Sequence, residues 1–354
     1  MGKSKTSLKD VARKAEVSVA TVSRVARGSS SVGLATKIRV RDAASKLGFS
    51  LDQTRRNKAL AFVLSNREML HPVHSQILVG AEHRARALGW EMIFLVFRYD
   101  LHSPWKELHL PRVAQRGDVF RGVILAGTNA PNLLELLAHK RIPSVVFGNN
   151  VVGEWKDSDY DAVYCNDILG GFDVTRYLQS LGHRDIWYVG NCRLPWFART
   201  YEGYRRAMEE AGLPPRRSEI HSDDPQQVGY LAAKTLLERG ESVTAVFAAH
   251  DAAAQGVYKA VRDCGLRVPD DVSVIGCNDS YGAMMYPPLT TIRSFPMQLG
   301  ECMVDMVLNR IANPELPAQQ LTMPMELIKR ESCRSLPQVP ESAGQVGTQI
   351  VRPA

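Results

Sequence analysis

The stretch from Leu8 to Val25 carries the most legible chemistry in the chain. Its apolar positions fall into two sets of helical spacing: Leu8, Val11, Ala12 and Ala15, then Thr21, Val22 and Val25. Glu16-Val17-Ser18 breaks the two apart. Ser18 reads as a cap, because its hydroxyl can accept from the free amides of a helix starting near Val19. Two short helices around a tight turn, the second with a polar outer face, form the helix-turn-helix pattern of DNA readers. The charge agrees. Residues 1–60 hold fourteen Lys/Arg against four Asp/Glu, and the remaining 294 residues carry a net −3. A basic module on a near-neutral body points to a polyanionic partner.

Other chemistries lack their residues. The six cysteines form no C-x-x-C pair and none sits with His at metal-ligand spacing, so reduced thiols and no metal are expected. There is no phosphate-binding loop, no G-x-S-x-G and no G-x-G-x-x-G, which argues against an enzyme and against a resident cofactor. The first residues lack an apolar run, and no stretch is long enough to span a bilayer; a cytoplasmic protein is the expectation.

The elements that would position the head continue past the hairpin. Residues 26–33 read as a loop and 36–47 as a third helix, stopped by Gly48, with Phe49 packing back on the bundle. The polar, basic stretch 51–58 is the expected linker. From Ala59 an unbroken apolar run, 59–64, has the texture of a strand buried on both faces. Strands at 91–97, 119–125, 144–147, 186–189, 245–248 and 273–276 alternate with helices at 77–88, 131–139, 170–181, 199–211, 225–238 and 252–264. Such alternation means parallel sheets with right-handed crossovers. Two halves of about a hundred residues suggest two lobes with a cleft, where ligands meet the carboxyl ends of the strands. Residues 337–354 read as a disordered tail.

Several motifs in order give the chain a resemblance. Asp10-Val11-Ala12, the run from Val17 to Val25, Ser180-Leu181-Gly182-His183-Arg184 and Glu202-Gly203-Tyr204 are among them. So are the runs Val246–Asp251, Val268–Gly276 and Pro288–Ile292. Together they resemble the lac repressor (LacI/GalR) family of bacterial transcription regulators. The resemblance implies an α/β protein: an all-α helix-turn-helix head at 1–50 and a two-lobed, periplasmic-binding-protein-like core at 59–336. It places the first lobe at about 59–161 plus 292–322 and the second at about 163–289 plus 323–336. The partners implied are a double-stranded DNA operator, a small-molecule effector in the cleft and a second copy of the chain.

The resemblance also assigns residues. Val19 and Ala20 would face base edges, with only apolar contact to offer, such as to a thymine methyl. Arg24 would follow one turn later, as a fork on guanine or a clamp on phosphate. Lys9, Ser18, Thr21 and Ser23 suit phosphate contacts. Two departures stand out. Glu16 occupies the turn position where the family usually has Gly, at a cost of about 1 kcal/mol if φ is positive there. The linker is shorter than usual and lacks the family's minor-groove leucine, so Arg55 and Arg56 are expected to lie along the DNA instead. In the cleft the candidates are Val73, His74, Asn149, Trp196, Arg199, His250, Asp251 and Asn278. Trp196 would stack on a sugar face or pack in the core. Asp251 would accept from two ligand hydroxyls or cap the helix that follows it. Asn149 and Asn278 stand where charged residues are common, so a neutral ligand, a saccharide above all, is expected.

Overall fold

The structure is a computed structural model describing residues 7–26, 32–49, 58–67, 72–114, 119–154, 156, 159–222 and 224–337. Residues 51–57 of the expected linker, Arg55 and Arg56 with them, and the tail beyond residue 337 lie outside the described residues.

The head is three helices, α1 (Leu8–Ala15), α2 (Val19–Ala26) and α3 (Leu34–Lys46). Each presents a short apolar stripe to a shared core: Val11, Ala12 and Ala15 against Val22, Val25, Val40, Ala43 and Ala44, with Phe49 packed at its edge. Gly48 stops α3 with φ +62°, as its position suggested.

Two six-stranded sheets follow. The first runs β11 (Gln320–Met323), β5 (Asp161–Cys165), β4 (Ser144–Phe147), β3 (Gly122–Gly127), β1 (Ala59–Ser65), β2 (Glu91–Phe97), all parallel. The second runs β12 (Glu326–Ile328), β10 (Thr290–Arg293), β9 (Ser273–Asn278), β8 (Ala245–Ala248), β6 (Ile186–Val189), β7 (Arg216–Arg217). Only β12 is antiparallel to its neighbour. All seven residues of β1 are buried, as an apolar run sandwiched between helix layers must be.

Helices α4 (Pro72–Ala87) and α10 (Pro296–Ala312) pack together on one face of the first sheet, through Ile77, Ala81, Leu299 and Met303. A Cβ on Gly80 would stand 1.9 Å from the Met297 carbonyl oxygen, so only glycine permits this crossing. The other face holds α5 (Pro131–His139) and the segment after β2. On the second sheet, α6 (Asp167–Ser180) crosses α7 (Pro195–Glu210), and α8 (Pro225–Glu238) crosses α9 (Asp251–Asp263).

Helices α4, α6 and α7 start earlier than their apolar patterns suggested. The first turn of each faces the cleft, where burial does not follow helical period. The short strands β5, β7, β10, β11 and β12 were not anticipated, nor was the long α10. They place the crossings between lobes a few residues later than expected. Strand β5 lies wholly in the first sheet, so the chain passes over after Cys165 and not at 161–163. Strand β10 lies wholly in the second sheet, so it returns after Arg293. Among the described residues, no helix is long and apolar enough to cross a membrane.

Candidate functional site

The head presents one face of α2. Val19, Ala20 and Arg24 are exposed there, while Val22, Val25 and Ala26 turn inward. Lys9 is exposed on α1. Ser18 caps α2 as expected: its Oγ accepts from the Thr21 amide at 3.0 Å and pairs with Thr21 Oγ1 at 2.9 Å. That pairing uses one of the two hydroxyl protons, so only one of these side chains remains free to donate to a phosphate. Ser23 is half-buried. Helix α1 starts on a bonded pair, Ser7 with Asp10, whose carboxyl Ser7 holds below the usual range. Glu16 does sit in the left-handed region (φ 53°, ψ 47°) and closes α1 through its amide to the Ala12 and Arg13 carbonyls.

The second candidate site is the cleft between the sheets, a cavity of about 960 Å³ including the open solvent at its mouth. It lies at the carboxyl ends of the strands, where β4, β5, β6, β8 and β9 deliver Phe147, Cys165, Val189, Ala249 and Asn278. Of the expected residues, Val73, His74, Asn149, Trp196, His250 and Asn278 line it together.

Their chemistry differs in detail from expectation. The Asn149 side chain is fully engaged. Its amide group donates to the Cys165 carbonyl at 2.9 Å and to Asp167 Oδ2 at 2.6 Å, and its Oδ1 accepts from the Cys165 amide at 2.8 Å. It shapes the wall of the cleft. His74, in the first turn of α4, accepts the Gly127 amide at Nδ1 (3.4 Å) and meets the Asn150 side chain at Nε2 (3.3 Å). His250 is the cap of α9, its Nδ1 accepting from the Ala252 amide at 3.0 Å. The neutral imidazole that makes this bond carries its proton on Nε2.

Asp251 departs from both sequence readings. It is fully buried, does not line the cavity and is not the cap. Its carboxylate accepts from Thr291 Oγ1 at 2.8 Å and from the Tyr281 amide at 3.2 Å. Burial pushes its pKa up to about 6, with those two hydrogen bonds opposing. A carboxylate on the first turn of a helix points back toward the strands it packs on, and here that direction is away from the ligand space.

Arg199 also stands behind the cavity wall. Its Nε donates to Asp167 Oδ2 at 3.2 Å and its Nη2 donates to the Asn149 carbonyl. Asp167, at the start of α6, is the buried carboxylate that does line the cleft. Burial raises its pKa, and Arg199 and Asn149 work against that. Sequence reasoning missed Asp167, Arg67 and Ser294. Arg67 donates through Nε to Thr128 Oγ1 at 2.9 Å and lies over the Trp196 ring. The Ser294 hydroxyl is buried in the lining with no hydrogen-bond partner among the described residues. Their only sequence signal was position, just past strand ends or on the segment between lobes. No group of His, Cys, Asp or Glu among the described residues could hold a metal.

Residues 7–51 match the family model described as bacterial regulatory proteins, lacI family. Residues 175–333 match the periplasmic binding protein-like domain. The ribose operon repressor of Escherichia coli (strain K12) is 31% identical over 336 residues, which span 92% of this chain and 99% of that protein. Among solved structures, a complex of the transcriptional regulator CelR with cellobiose is 27% identical with a TM-score of 0.67, over 93% of this chain and 100% of that one. The fold also matches the lac repressor dimer bound to operator and an anti-inducer, at 23% identity and a TM-score of 0.70, over 94% and 100%.

Proposed function

Because the chain belongs to the LacI family of bacterial regulatory proteins, we propose that it binds a roughly palindromic operator as a homodimer and answers to a neutral sugar in its cleft. The coarser statement needs no proposal: the chain is a DNA-binding transcriptional repressor with an effector-binding domain, not an enzyme. The relative bound to cellobiose and the dimeric relative bound to operator support the finer reading.

The observation that carries the ligand class is the balance of the cleft lining. Among the described residues, one guanidinium, Arg67, and one carboxylate, Asp167, face it, and each is engaged with protein groups. A charged ligand would leave that balance broken in a half-enclosed space. Hydroxyl-rich ligands instead find Ser294 Oγ, Asn278 and the His250 ring, with Phe147, Trp196 and Phe197 as apolar walls.

On DNA, Val19 and Ala20 offer base edges only apolar contact, so Arg24 and the shape of the operator carry discrimination. Lys9, Ser23 and one hydroxyl of the Ser18–Thr21 pair hold phosphates, joined by Arg55 and Arg56 from the linker. Half-sites about one helical turn apart suit two heads related by a twofold axis. Ligand binding changes how the lobes close, and a coupling of about 1–3 kcal/mol passes to the spacing of the heads.

A thermal-shift screen of the full chain against sugars and nucleosides tests the ligand class. A sugar at a hundredfold excess over Kd stabilises by about 2.7 kcal/mol. No shift with any saccharide, beside a clear shift with a nucleoside or an acid, overturns the neutral-sugar reading. The linker's part in DNA binding is read from salt dependence. An Arg55→Ala/Arg56→Ala variant should lower the slope of log K on log salt by about two, and an unchanged slope removes both residues from the interface.

A further inference from the structure

We propose that Arg67 and Trp196 form a latch across the mouth of the cleft, which sets how readily the lobes part and which ligands reach the Trp196 ring. The guanidinium carbon of Arg67 stands 4.7 Å from the centre of that ring. The two residues belong to different lobes: Arg67 follows β1 of the first sheet, and Trp196 lies in the first turn of α7 on the second.

Arg67 is held on its own side. Its Nε donates to Thr128 Oγ1 at 2.9 Å, just past β3. Its neighbour Asn66, left-handed at φ 50°, anchors the same turn: the Asn66 side chain donates to the Thr128 carbonyl at 3.4 Å and accepts from the Tyr99 amide at 3.0 Å. The guanidinium plane is therefore presented to the second lobe by a turn tied at several points to the first. Trp196 is braced in turn by the edge of Phe197, 5.9 Å away.

A second bridge between the lobes joins Asn149 to Asp167 and Arg199. That bridge is made of charge-assisted hydrogen bonds to the buried Asn149, and the ion pair behind it, Arg199 with Asp167, lies within the second lobe. The Arg67–Trp196 pair is half-buried, so it is the weaker of the two and the first to part when the cleft opens. It also covers the indole face on which a sugar would stack. A ligand that stacks there must displace Arg67, and one that does not is enclosed beneath it. Arg67 is thus a specificity-determining residue for the cleft, an assignment that rests on the cleft being the effector site. The latch itself needs no ligand.

The test uses the full chain with neither DNA nor ligand. With Trp90, Trp105, Trp155 and Trp187 replaced by Phe, fluorescence reports on Trp196 alone. Arg67→Ala should raise the acrylamide quenching constant about twofold or more, and Arg67→Lys should give an intermediate value. Should the fourfold replacement disturb folding, amide hydrogen exchange on a chain carrying only Arg67→Ala serves instead. Residues 127–130 and 190–198 should then exchange about two- to fivefold faster, with 244–250 unchanged. Unchanged quenching, or unchanged exchange in both segments, overturns the latch. Neither result touches the neutral-sugar reading, which the ligand screen decides on its own.

Discussion

Of the turns that hold non-glycine residues in the left-handed region, the one at Glu16 and the one at Asn278–Asp279 are stabilised in different ways. In the head, Glu16 turns the chain from α1 toward α2 at φ 53°. It is exposed, and among the described residues what holds it is backbone: its amide and that of Val17 close α1 on the Ala12 and Arg13 carbonyls. In the second lobe, Asn278 and Asp279 stand at φ 92° and 54° as the chain leaves β9. There the Asp279 carboxylate accepts two bonds from Arg330, at 2.8 and 3.0 Å, and bonds from Arg293 at 2.8 and 2.7 Å. Arg293 ends β10 just before the chain crosses between lobes, and Arg330 follows β12 just after its last crossing. The ion clamp thus ties the loop that places Asn278 in the cleft to two of the connecting segments. The head turn can relax locally because solvent surrounds it. The cleft loop cannot relax without disturbing the hinge.

That contrast can be broken. The largest effect should come from Asp279→Ala, which leaves the mostly buried Arg330 guanidinium without its carboxylate. Urea denaturation should show a loss of about 3–4 kcal/mol, and a loss under about 1 kcal/mol would mean the clamp is ornamental.

Acidity should separate the clamp from its neighbour Asp251. Burial alone would raise the Asp279 pKa, but the bonds from Arg330 and Arg293 outweigh it and hold the carboxyl below its usual 3.8. Its stabilising contribution is therefore present above pH ~4 and lost as pH falls below that. Asp251, raised to about 6, has the opposite sign: its contribution is full below pH ~4 and fades as pH rises through about 6. Wild-type stability should fall by roughly 2–3 kcal/mol across that window from this group. Asp251→Asn should flatten the slope, and an unchanged slope would locate the titration elsewhere.

Smaller effects sharpen the contrast. Arg293→Ala should cost about 1 kcal/mol, since this partner is more exposed than Arg330 and leaves the bidentate pair intact. Glu16→Gly should stabilise the head by about 1 kcal/mol at most, because relief of the left-handed strain is partly offset by the freer unfolded chain. Amide exchange in α1 and α2 should slow up to about fivefold; faster exchange would show that Glu16 makes a contact the head depends on.

Local pattern made much of this architecture legible. The buried run at Ala59, the strands at Glu91–Phe97 and Ser144–Phe147, and the helices at Pro131–His139 and Pro225–Glu238 lie where periodicity put them. The family resemblance made Glu16 legible too, as a non-glycine where relatives carry Gly, and its φ is positive. What escaped was short or crosses between lobes. Strand β12 has three residues, too few for alternation to register, and it is stabilised by a sheet whose other strands lie far away in sequence.

The cleft shows the same division. His74, His250, Asn278 and Trp196 could be named because the family resemblance places ligand contacts on the strand-end loops, and they do line the cleft. Residue type and spacing alone determined the head, the alternation of the core and a polyanionic partner, since these depend on periodicity, capping and charge within a few residues; the effector and the second copy came from the family resemblance. Only the tertiary structure decided that Asp251 turns inward while Asp167 faces the cleft, and that Arg67 reaches across it to Trp196. A side chain's direction depends on which neighbours fill the space around it, and here those neighbours come from segments far apart in the chain.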